Sequence, residues 1–506
     1  MDQVSYYLTS QSGASPADAE KGLREAVRQL SPTLAPNVHF QVDTSLPRIL
    51  AMLRSHGADA LVLDTRGETG PIELSPAIAL LRTLFPEHDL EGAVARTQTW
   101  LVVEPGERGL ALCFEAGKCR IAGAIAASPG PAGWRQIWHP MDATVRRRHG
   151  GKIALCLAGG GIEGAFYEMG VLRALQTFLP DFPLQNADII CGISAGSILG
   201  CCLANGLSPD DIIRGMIGGV GTLDKLGRLD VFDLNTGEFV QRLGRGAANL
   251  LRRSQPPIQT LMEIIPSGAF KGDSLRRYLR RQMAKPGMTD DFTRLRRKFF
   301  VGATNQDTAE HVVFGTEGLN HIPIHKAVRA SSALTPFYAP EVIEGRYYID
   351  GGFTRTSNIQ IAVKHGATLV IVVDPLVPIA SERPGYVASK GAVLATMQGL
   401  KSLIHGRFGR AASMLRTMFP HVSIQAFHPE LSSMRVMAGS PMKFFYRPEI
   451  EEIAFTETVR SIRQRRIHGL QRDFARHGVL FSDPAEGDIS RYKRDMLDEA
   501  DEVLLT

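Results

Sequence analysis

The chain has 506 residues, of which 44% are hydrophobic and 22% are charged, so it is long and apolar enough for two or three globular domains. Lys and Arg (57) exceed Asp and Glu (52), and the formal net charge of +5 suits an anionic membrane surface but does not indicate a nucleic-acid partner. The six cysteines lack the spacing of metal ligands, so we expect buried thiols in a reducing compartment, with neither a metal nor a cofactor. The sequence leaves the oligomeric state open.

No targeting segment is visible in the sequence. The stretch Met1–Gly13 lacks a basic region followed by an apolar run, which a signal peptide requires. No stretch of the chain reaches the ~18 consecutive apolar residues that cross a bilayer. We therefore expect a cytoplasmic protein that contacts membranes peripherally, from the surface.

Residues 1–145 alternate between strand-like and helix-like patterns, which predicts a small α/β domain with a parallel sheet, receiver-like or flavodoxin-like. A helix begins at Pro16 with Ser15 as its N-cap, and further helices are expected at Pro47–His56 and Pro76–Phe85. The predicted strands are Val4–Leu8, Val38–Val42, Ala60–Asp64, Trp100–Val103 and Leu110–Phe114.

Asp64 closes the third predicted strand, at the position where a response-regulator receiver would carry its phosphoacceptor. Such a domain also needs an acidic pair after its first strand, and here that strand runs into Thr9-Ser10-Gln11. We therefore favour a receiver-like shell that serves docking or regulation over a working phosphoacceptor.

The end of this first domain is marked by composition. Ser128–Gly133 is rich in glycine and proline, and the basic run Arg146–Arg148 follows shortly before Gly150 and Gly151. Both features are typical of a linker. We interpret the arginines as a solvated hinge, in preference to a lipid-binding patch.

A glycine-rich turn follows the apolar strand Ile153–Leu157 and contains Gly159, Gly160, Gly161 and Gly164. Its G-x-G-x-x-G spacing also fits a dinucleotide-binding loop, which requires an acidic residue at the end of the next strand. That strand ends in a serine instead. We therefore interpret the loop as an oxyanion hole, whose backbone N–H groups face the charge that develops during acyl transfer.

The second turn, Gly192-Ile193-Ser194-Ala195-Gly196, has the G-x-S-x-G pattern of a nucleophile elbow. An apolar strand, Asp188–Cys191, precedes it and a helix of small residues, Ser197–Asn205, follows it, which is the context that the motif needs. Ser194 would project at the N-terminus of that helix, where free N–H groups and the helix dipole favour negative charge. A serine in this position is placed to attack a carbonyl.

Two further segments follow in order, RASSALTPF (Arg329–Phe337) and YYIDGG (Tyr347–Gly352). Together with the glycine loop and the elbow they resemble the patatin-like phospholipases, over roughly residues 152–375. The resemblance implies a three-layer α/β/α core with a mostly parallel sheet, in which Ser194 is the nucleophile and Asp350 is its partner in a catalytic dyad. It also implies an oxyanion hole formed by Gly159, Gly160 and Gly161, with motif support from Gly164, Gly192, Gly196, Gly351 and Gly352.

The chain departs from the family pattern at two places. Glu163 stands where the family usually has a basic or small residue, and FTRTSNIQ follows Asp350-Gly351-Gly352 where the family commonly continues through Asn and Pro. Neither departure touches the expected chemistry. Both count against an anionic headgroup at the loop, because a carboxylate there would repel phosphate.

Residues 207–295 lack a clear strand rhythm and contain apolar pieces such as Ile212–Val220 and Ile258–Ile265. They fit either the wall or lid of an acyl pocket or helices that cover the sheet, and the sequence leaves both interpretations open. The next predicted strands, which belong to a mostly parallel sheet with helices on both faces, are Phe299–Ala303, Val312–Phe314, Tyr347–Ile349 and Thr368–Val373.

Asp350 directly follows one of these strands. A dyad needs that strand to neighbour the strand of the elbow, whereas Asp-Gly-Gly by itself is a common turn. The position of Asp350 in the order of the segments therefore supports its assignment. We expect Ser331, Ser332 and Pro336 to shape a turn beside the site without reacting.

The remainder of the chain is predicted to be a mainly helical extension. Ser389–Phe419 has apolar positions at helical spacing, and it fits either a membrane-surface helix or, as we prefer, a helix packed on the core. A strand at Val422–Ala426 and a charged helix from Pro448 to Arg476 follow, and the acidic tail after Ser490 is expected to fold back on that helix. The basic face of the first helix is formed by Lys401, Arg407, Arg410 and Arg416.

The sequence thus predicts domains at residues 1–145, 152–380 and 381–506, and a serine hydrolase that cleaves acyl esters of phospholipids or related lipids. One alternative is a lipid-binding or regulatory module on a patatin-like scaffold. Another is an α/β-hydrolase esterase with a Ser-Asp-His triad, for which the available histidines are His421, His428, His468 and His477.

Overall fold

A computed structural model of the chain describes residues 2–8, 14–31, 35, 38–55, 60–84, 98–119, 121, 123–129, 131–149, 151–251, 266–355, 357–379, 381, 383–430 and 448–491. The chain divides into two compact units. The first comprises residues 1–150 and 475–479, and the second comprises residues 151–474 and 480–506.

The first unit contains a five-stranded parallel sheet. Its strands are β1 (Asp2–Leu8), β2 (Val38–Asp43), β3 (Ala60–Asp64), β4 (Gln98–Val103) and β5 (Gly123–Ala126). Its helices are α1 (Pro16–Leu30), α2 (Leu46–Ser55), α3 (Pro76–Leu84), α4 (Glu107–Gly117) and α5 (Pro131–His149). The strand order β2-β1-β3-β4-β5 is the flavodoxin-like order of a doubly wound fold. The predicted small α/β domain is therefore confirmed.

Two predictions for this unit are wrong. Leu110–Phe114, predicted as a strand, lies inside α4, where Leu112 and Ala116 are buried one helical turn apart. A short apolar run does not by itself distinguish a strand from a helix. The segment interpreted as a linker belongs largely to α5, in which Pro131 is the first residue, a position that tolerates proline, and Trp138 is fully buried.

Asp64 is held in the interior of the first unit. Its carboxylate accepts a hydrogen bond from the Tyr6 hydroxyl at 2.5 Å and forms an ion pair with Arg66 at 2.7 Å. The residue is completely buried. These contacts leave no accessible phosphoacceptor, which agrees with the preference for a receiver-like shell. Thr9-Ser10-Gln11 lies outside the described residues.

The second unit is built on an eight-stranded mixed sheet. The strand order is β10-β11-β8-β7-β6-β12-β13, and β9 pairs with β8. The neighbours from β8 to β13 run parallel, whereas β9, β10 and β11 join by antiparallel pairing. The strands are β6 (Lys152–Leu157), β7 (Ile189–Ile193), β8 (Lys298–Asn305), β9 (His311–Phe314), β10 (Glu341–Ile343), β11 (Arg346–Asp350), β12 (Ala367–Val373) and β13 (Ser423–Phe427).

Helices cover both faces of this sheet, which confirms the predicted α/β architecture. Ile359, Phe408 and Leu415 pack on one face, and Gly200 approaches Ile190 and Phe299 on the other. The helices are α6 (Gly161–Thr177), α7 (Ala195–Ala204), α8 (Pro209–Ile213), α9 (Arg228–Val231), α10 (Thr236–Leu251), α11 (Asp273–Met283), α12 (Ile324–Ser331), α13 (Ile359–Lys364), α14 (Ala392–Met418), α15 (Pro448–Ser461) and α16 (Ile467–Arg476). None of the described helices is long and apolar enough to cross a bilayer.

The C-terminal elements pack on the same sheet as the motif-bearing segment. Strand β13 pairs with β12, and α14 packs Phe408 and Leu415 on the core, as our preferred interpretation of this helix predicts, although Leu403 and Met414 are exposed. In the charged helix, Arg463 pairs with Asp483 at 2.8 Å and Arg460 with Glu430 at 2.7 Å. The acidic tail predicted to meet these arginines lies almost entirely outside the described residues. The three-domain division stays a prediction.

The contact between α6 and α15 depends on a glycine. A Cβ atom at Gly170 would lie 2.3 Å from the carbonyl oxygen of Glu451 and 2.8 Å from the Cβ of Ala454. We predict that Gly170→Ala lowers the free energy of unfolding by about 1–3 kcal/mol, because the added methyl group forces the helices apart. Gly409→Ala in α14 is the matched control, since its Cβ would meet only open space. Equal denaturant midpoints for the two variants would contradict the close helix contact.

Candidate active site

Ser194 occupies a sharp turn between β7 and α7. Its backbone has φ 53° and ψ −130°, a strained conformation for a residue with a side chain. The flanking glycines permit the turn: a Cβ at Gly192 would lie 2.5 Å from the Cα of Ser197, and one at Gly196 would lie 2.6 Å from the carbonyl oxygen of Leu157. The turn therefore has the geometry of a nucleophile elbow.

Three serines hold the backbone of this elbow. The N–H of Ser194 donates to the Ser331 Oγ at 2.8 Å, and that hydroxyl donates to the carbonyl oxygen of Gly302 at 2.6 Å. The Ser197 hydroxyl donates to the carbonyl oxygen of Ser194 at 2.6 Å, and the Ser332 hydroxyl lies 3.3 Å from the same oxygen. Ser331 and Ser332 thus shape the turn, in agreement with the interpretation made from the sequence.

Asp350 ends strand β11 and is buried. Contrary to the expectation from sequence, its strand does not neighbour the strand of the elbow, because β8 lies between β7 and β11. The pairing registers place Ile193 opposite Gly302 and Asp350 opposite Ala303. Strands β7 and β11 flank β8, and both end beside neighbouring residues of it. Asp350 and Ser194 therefore lie at the same level of the sheet, on either side of β8.

The carboxylate of Asp350 interacts with a backbone N–H and with the side chain of Ser194. The N–H of Gly352 donates a hydrogen bond to its Oδ1 at 2.8 Å, and the side chain of Ser194 is close enough to lower the pKa of the carboxyl group. Burial raises the pKa of Asp350 to about 6, and these two interactions counteract part of the rise. At neutral pH the group is an ionised base in contact with the serine hydroxyl.

The main chain of Asp350 is fixed by a polar network. Its carbonyl oxygen accepts from the Thr304 hydroxyl at 2.9 Å, Thr304 contacts the Thr354 hydroxyl at 2.9 Å, and Thr354 contacts His311 Nδ1 at 2.8 Å. His311 Nε2 contacts Asn358 Oδ1 at 2.9 Å, and burial lowers the pKa of His311 to about 4. This network holds the turn after β11 in place.

No histidine in the described part of the chain forms a hydrogen bond with Ser194 or with the carboxylate of Asp350. Of the four triad candidates, His421 and His468 are exposed, and His428 Nδ1 lies 3.8 Å from Asp374. The geometry therefore gives no support to a Ser-Asp-His triad.

The glycine loop lies between β6 and α6. Gly159, Gly160 and Gly161 all have positive φ, at 77°, 136° and 70°. The N–H of Gly159 donates to Glu168 Oε1 at 2.8 Å, so it is already used and the expectation that it faces the oxyanion is wrong. No described acceptor binds the N–H groups of Gly160 and Gly161, which remain candidates for an oxyanion hole.

Glu168, which sequence reasoning missed, tethers this loop from the second turn of α6. It is fully buried, and burial raises the pKa of its carboxyl group well above the ordinary value. A glutamate within an apolar helix gives no motif that could have identified it. Its apolar neighbours in the sequence, such as Met169, were the only available signal.

An apolar cavity of about 220 Å³ opens beside Ser194 and Gly161. Its wall includes side chains from residues 207–295, the segment for which the sequence left two interpretations open. These side chains favour the interpretation that the segment forms the wall of an acyl pocket over the interpretation that it only covers the sheet. Ile258–Ile265 lies outside the described residues. The lining from this segment consists of Ile212, Ile213, Met216, Ile217, Lys225, Leu226, Val231 and Leu275.

A second, smaller cavity of about 30 Å³ lies between the glycine loop, Asp350 and helix α14. Ser194, Gly161 and Leu334 line both cavities, so the serine stands where they meet. Lys401 of α14 also lines the smaller cavity and is only 6% exposed, so its assignment to a solvated basic face is wrong. The described residues contain no group of three or more side chains suited to hold a metal ion.

Comparison with known proteins identifies the domain that carries this site. Residues 155–363 match the model of the patatin-like phospholipase family, so the predicted resemblance is confirmed over this segment. The uncharacterized protein R571 of Acanthamoeba polyphaga mimivirus is 26% identical over 203 residues, which span 40% of this chain and 58% of the relative. The crystal structure of VipD from Legionella pneumophila aligns over 61% of this chain and 66% of its own, with 15% identity and a TM-score of 0.28.

Ser331 offers a test of the elbow geometry. We predict that Ser331→Ala lowers kcat for ester hydrolysis by about 10-fold or more and lowers stability by about 1–3 kcal/mol, because the N–H of Ser194 and the carbonyl of Gly302 lose a buried partner. Ser332→Ala should have a smaller effect on both, since its hydroxyl donates mainly within its own helix, to Val328 at 2.8 Å. Steady-state kinetics and urea unfolding of both variants check this, and the reverse ranking would contradict it.

Proposed function

We propose that the chain is a serine acyl hydrolase that cleaves an acyl ester of a phospholipid or related lipid. The placement of Ser194 carries the proposal. Its side chain interacts with a buried carboxylate, beside two N–H groups without a described acceptor and next to an apolar cavity. Nucleophile, base, oxyanion donors and acyl site are the parts that this chemistry needs.

In the first step, the Ser194 Oγ attacks the carbonyl carbon of the ester while its proton passes to the carboxylate of Asp350. The carbonyl oxygen becomes an oxyanion, and the N–H groups of Gly160 and Gly161, at the start of α6, stabilise it. The bond between the carbonyl carbon and the alcohol oxygen then breaks. The departing alcohol takes the proton from Asp350 and leaves an acyl-enzyme.

In the second step, water attacks the acyl-enzyme and gives its proton to Asp350. The tetrahedral intermediate collapses, the fatty acid departs, and Ser194 regains a proton from Asp350. Asp350 is thus base and acid in alternation, and the acyl chain stays in the apolar cavity throughout. No cofactor is needed for either step.

A lipid-binding or regulatory module on the same scaffold is the alternative. It would need the apolar cavity but not the strained backbone of Ser194 or the buried Asp350 beside it. These two features favour the hydrolase.

For the first unit we propose a docking or regulatory role. The complete burial of Asp64 supports this role over that of a phosphoacceptor domain.

We also propose a peripheral contact with a lipid bilayer, through exposed apolar side chains near the cavity. Val231 lines the cavity, while Leu229 in the same short helix is 83% exposed. The neighbouring helix α10 adds Phe239, Val240 and Leu243, all exposed. Exposed apolar side chains next to an acyl site are typical of a surface that meets membranes. Helix α14 is less suited, because its exposed apolar side chains, Leu403, Met414 and Met418, do not line the cavity.

The dyad predicts equal losses at its two members. Ser194→Ala and Asp350→Asn should each lower kcat by at least about 10³-fold, because the amide keeps the shape of Asp350 but does not accept a proton. The double variant should be little worse than either single one, since the two residues act as a unit. None of the fourteen histidines, changed singly to Gln, should approach this loss. A folded histidine variant as inactive as Asp350→Asn would contradict the dyad.

The raised pKa of Asp350 predicts a pH profile. The base must be ionised, so kcat/KM should fall as the pH drops through about 6, with half of the maximal value near that pH. Above it, kcat/KM should level off, because no further proton has to leave Asp350. The pH dependence on a soluble short-chain ester checks this. A midpoint near 4, the ordinary range of an aspartate, would contradict the effect of burial.

The bilayer contact predicts a loss that depends on the form of the substrate. Leu229→Ser combined with Phe239→Ser should lower turnover on phospholipid vesicles by about 10-fold but leave hydrolysis of a soluble short-chain ester within about twofold, because only the vesicle requires insertion of the side chains. Leu110→Ser is the matched control, since it removes an exposed leucine of α4 in the first unit. Equal losses on both substrates would contradict the proposed contact.

A further inference from the structure

Lys401 is a buried cation on the inward side of helix α14. It lies four residues after Met397 and three before Ile404, both buried, so it shares the face that packs against the domain. Its side chain lines the smaller cavity together with Ser194, Asp350 and the glycine loop. Of the residues that line this cavity, Lys401 alone carries a positive charge.

The ammonium group of Lys401 has free hydrogen-bond donors. No described acceptor lies within hydrogen-bond distance of its Nζ, although an ammonium can donate three hydrogen bonds. Burial lowers the pKa of Lys401, and the charge of Glu163, buried in the first turn of α6, raises it in turn. Glu163 therefore helps to keep Lys401 ionised. The ammonium group is therefore available to a ligand that enters the smaller cavity.

The arrangement around Ser194 assigns a direction to the substrate. An acyl ester has two arms at its carbonyl carbon, the acyl chain and the alcohol. The larger cavity is apolar and fits the acyl chain, so the smaller cavity, which Ser194 also lines, is left for the alcohol. Lys401 thus lies on the side of the leaving group.

We propose that Lys401 is a specificity-determining residue that binds an anionic phosphate on the alcohol arm of the lipid. This inference rests on the proposed hydrolase function. A phosphate oxygen accepts the hydrogen bonds that the ammonium has free, at the position where the alcohol of a glycerophospholipid carries its phosphate. Glu163 does not exclude the phosphate, as the sequence alone would suggest, because Lys401 offsets its charge. The site favours phospholipids over neutral glycerides that have the same acyl chain.

A matched pair of substrates tests the proposal. Monooleoylglycerol and lysophosphatidic acid with the same oleoyl chain differ only in the phosphate. The full-length protein is assayed on both in detergent micelles, and the ratio of kcat/KM for the phosphate ester to that for the neutral ester is the readout. Lys401→Met should lower this ratio about 10- to 100-fold, since one charge-assisted hydrogen bond is lost. Lys401→Arg should keep most of the preference.

Two controls separate this role from a structural one. Arg410→Met removes an exposed cation of the same helix and should leave the ratio unchanged. The double variant Glu163→Gln/Lys401→Met removes both charges, so a Lys401 that only balanced Glu163 would regain the wild-type ratio, whereas the proposal expects the ratio to stay low. Thermal unfolding of each variant shows whether it is folded.

Each other outcome has a distinct meaning. An unchanged ratio in folded Lys401→Met, or its recovery in the double variant, would overturn the role of Lys401 while leaving the hydrolase intact. A wild-type protein that cleaves neither lipid would overturn the hydrolase, and this proposal with it. Inhibition of monooleoylglycerol hydrolysis by inorganic phosphate that disappears in Lys401→Met, without a change in the ratio, would assign the site to free phosphate and contradict a lipid headgroup.

Discussion

The interaction between the side chain of Ser194 and the buried carboxylate of Asp350 is the one on which the site depends. The two residues come from strands that are not neighbours, and β8 lies between them. The two side chains come together because the elbow turns Ser194 out of its strand and because antiparallel β11 ends at the same level of β8. Ser331 contacts both Ser194 and Gly302 of β8, and it fixes the distance between the elbow and the middle strand.

Burial sets the strength of Asp350 as a base. An aspartate at its ordinary pKa is a weak acceptor for the proton of a serine hydroxyl, and a stronger base is obtained by removing it from water. Burial raises the pKa of Asp350 to about 6, while the interactions with Gly352 and Ser194 limit the rise, so the carboxylate stays ionised at neutral pH. In the proposed mechanism the same balance lets one group accept the proton from Ser194 and return it to the alcohol.

The parts of the site that sequence alone predicts are those with strict local backbone demands. The elbow and the glycine loop require glycines where a Cβ would meet the backbone, as at Gly192 and Gly196, so their patterns are visible in one sequence. The order of the strands in the sheet, in contrast, is not predicted by the sequence. The antiparallel pairing of β11 with β8 depends on tertiary contacts between distant segments, and no local pattern reveals it.

Individual polar groups were also hard to predict. Charge patterning places a lysine of an amphipathic helix in solvent, but Lys401 lies on the buried face of α14 with Met397 and Ile404 and lines the smaller cavity. Likewise, nothing in the glycine loop reveals that Glu168 takes the N–H of Gly159, because that contact arises from the turn of α6 above the loop. The helix α5 was missed since glycine and proline at its start outweighed its buried Trp138 and Met141.

The most direct measurement for the proposed dyad is to map where a fluorophosphonate probe attaches to the full-length protein, by mass spectrometry of its peptides. Such a probe reacts with an activated serine and not with an ordinary one. The dyad predicts a single adduct on Ser194, formed much more slowly in the folded Asp350→Asn variant. An unlabelled Ser194 in folded protein, an adduct on another serine, or a rate that does not respond to the change at Asp350 would contradict it.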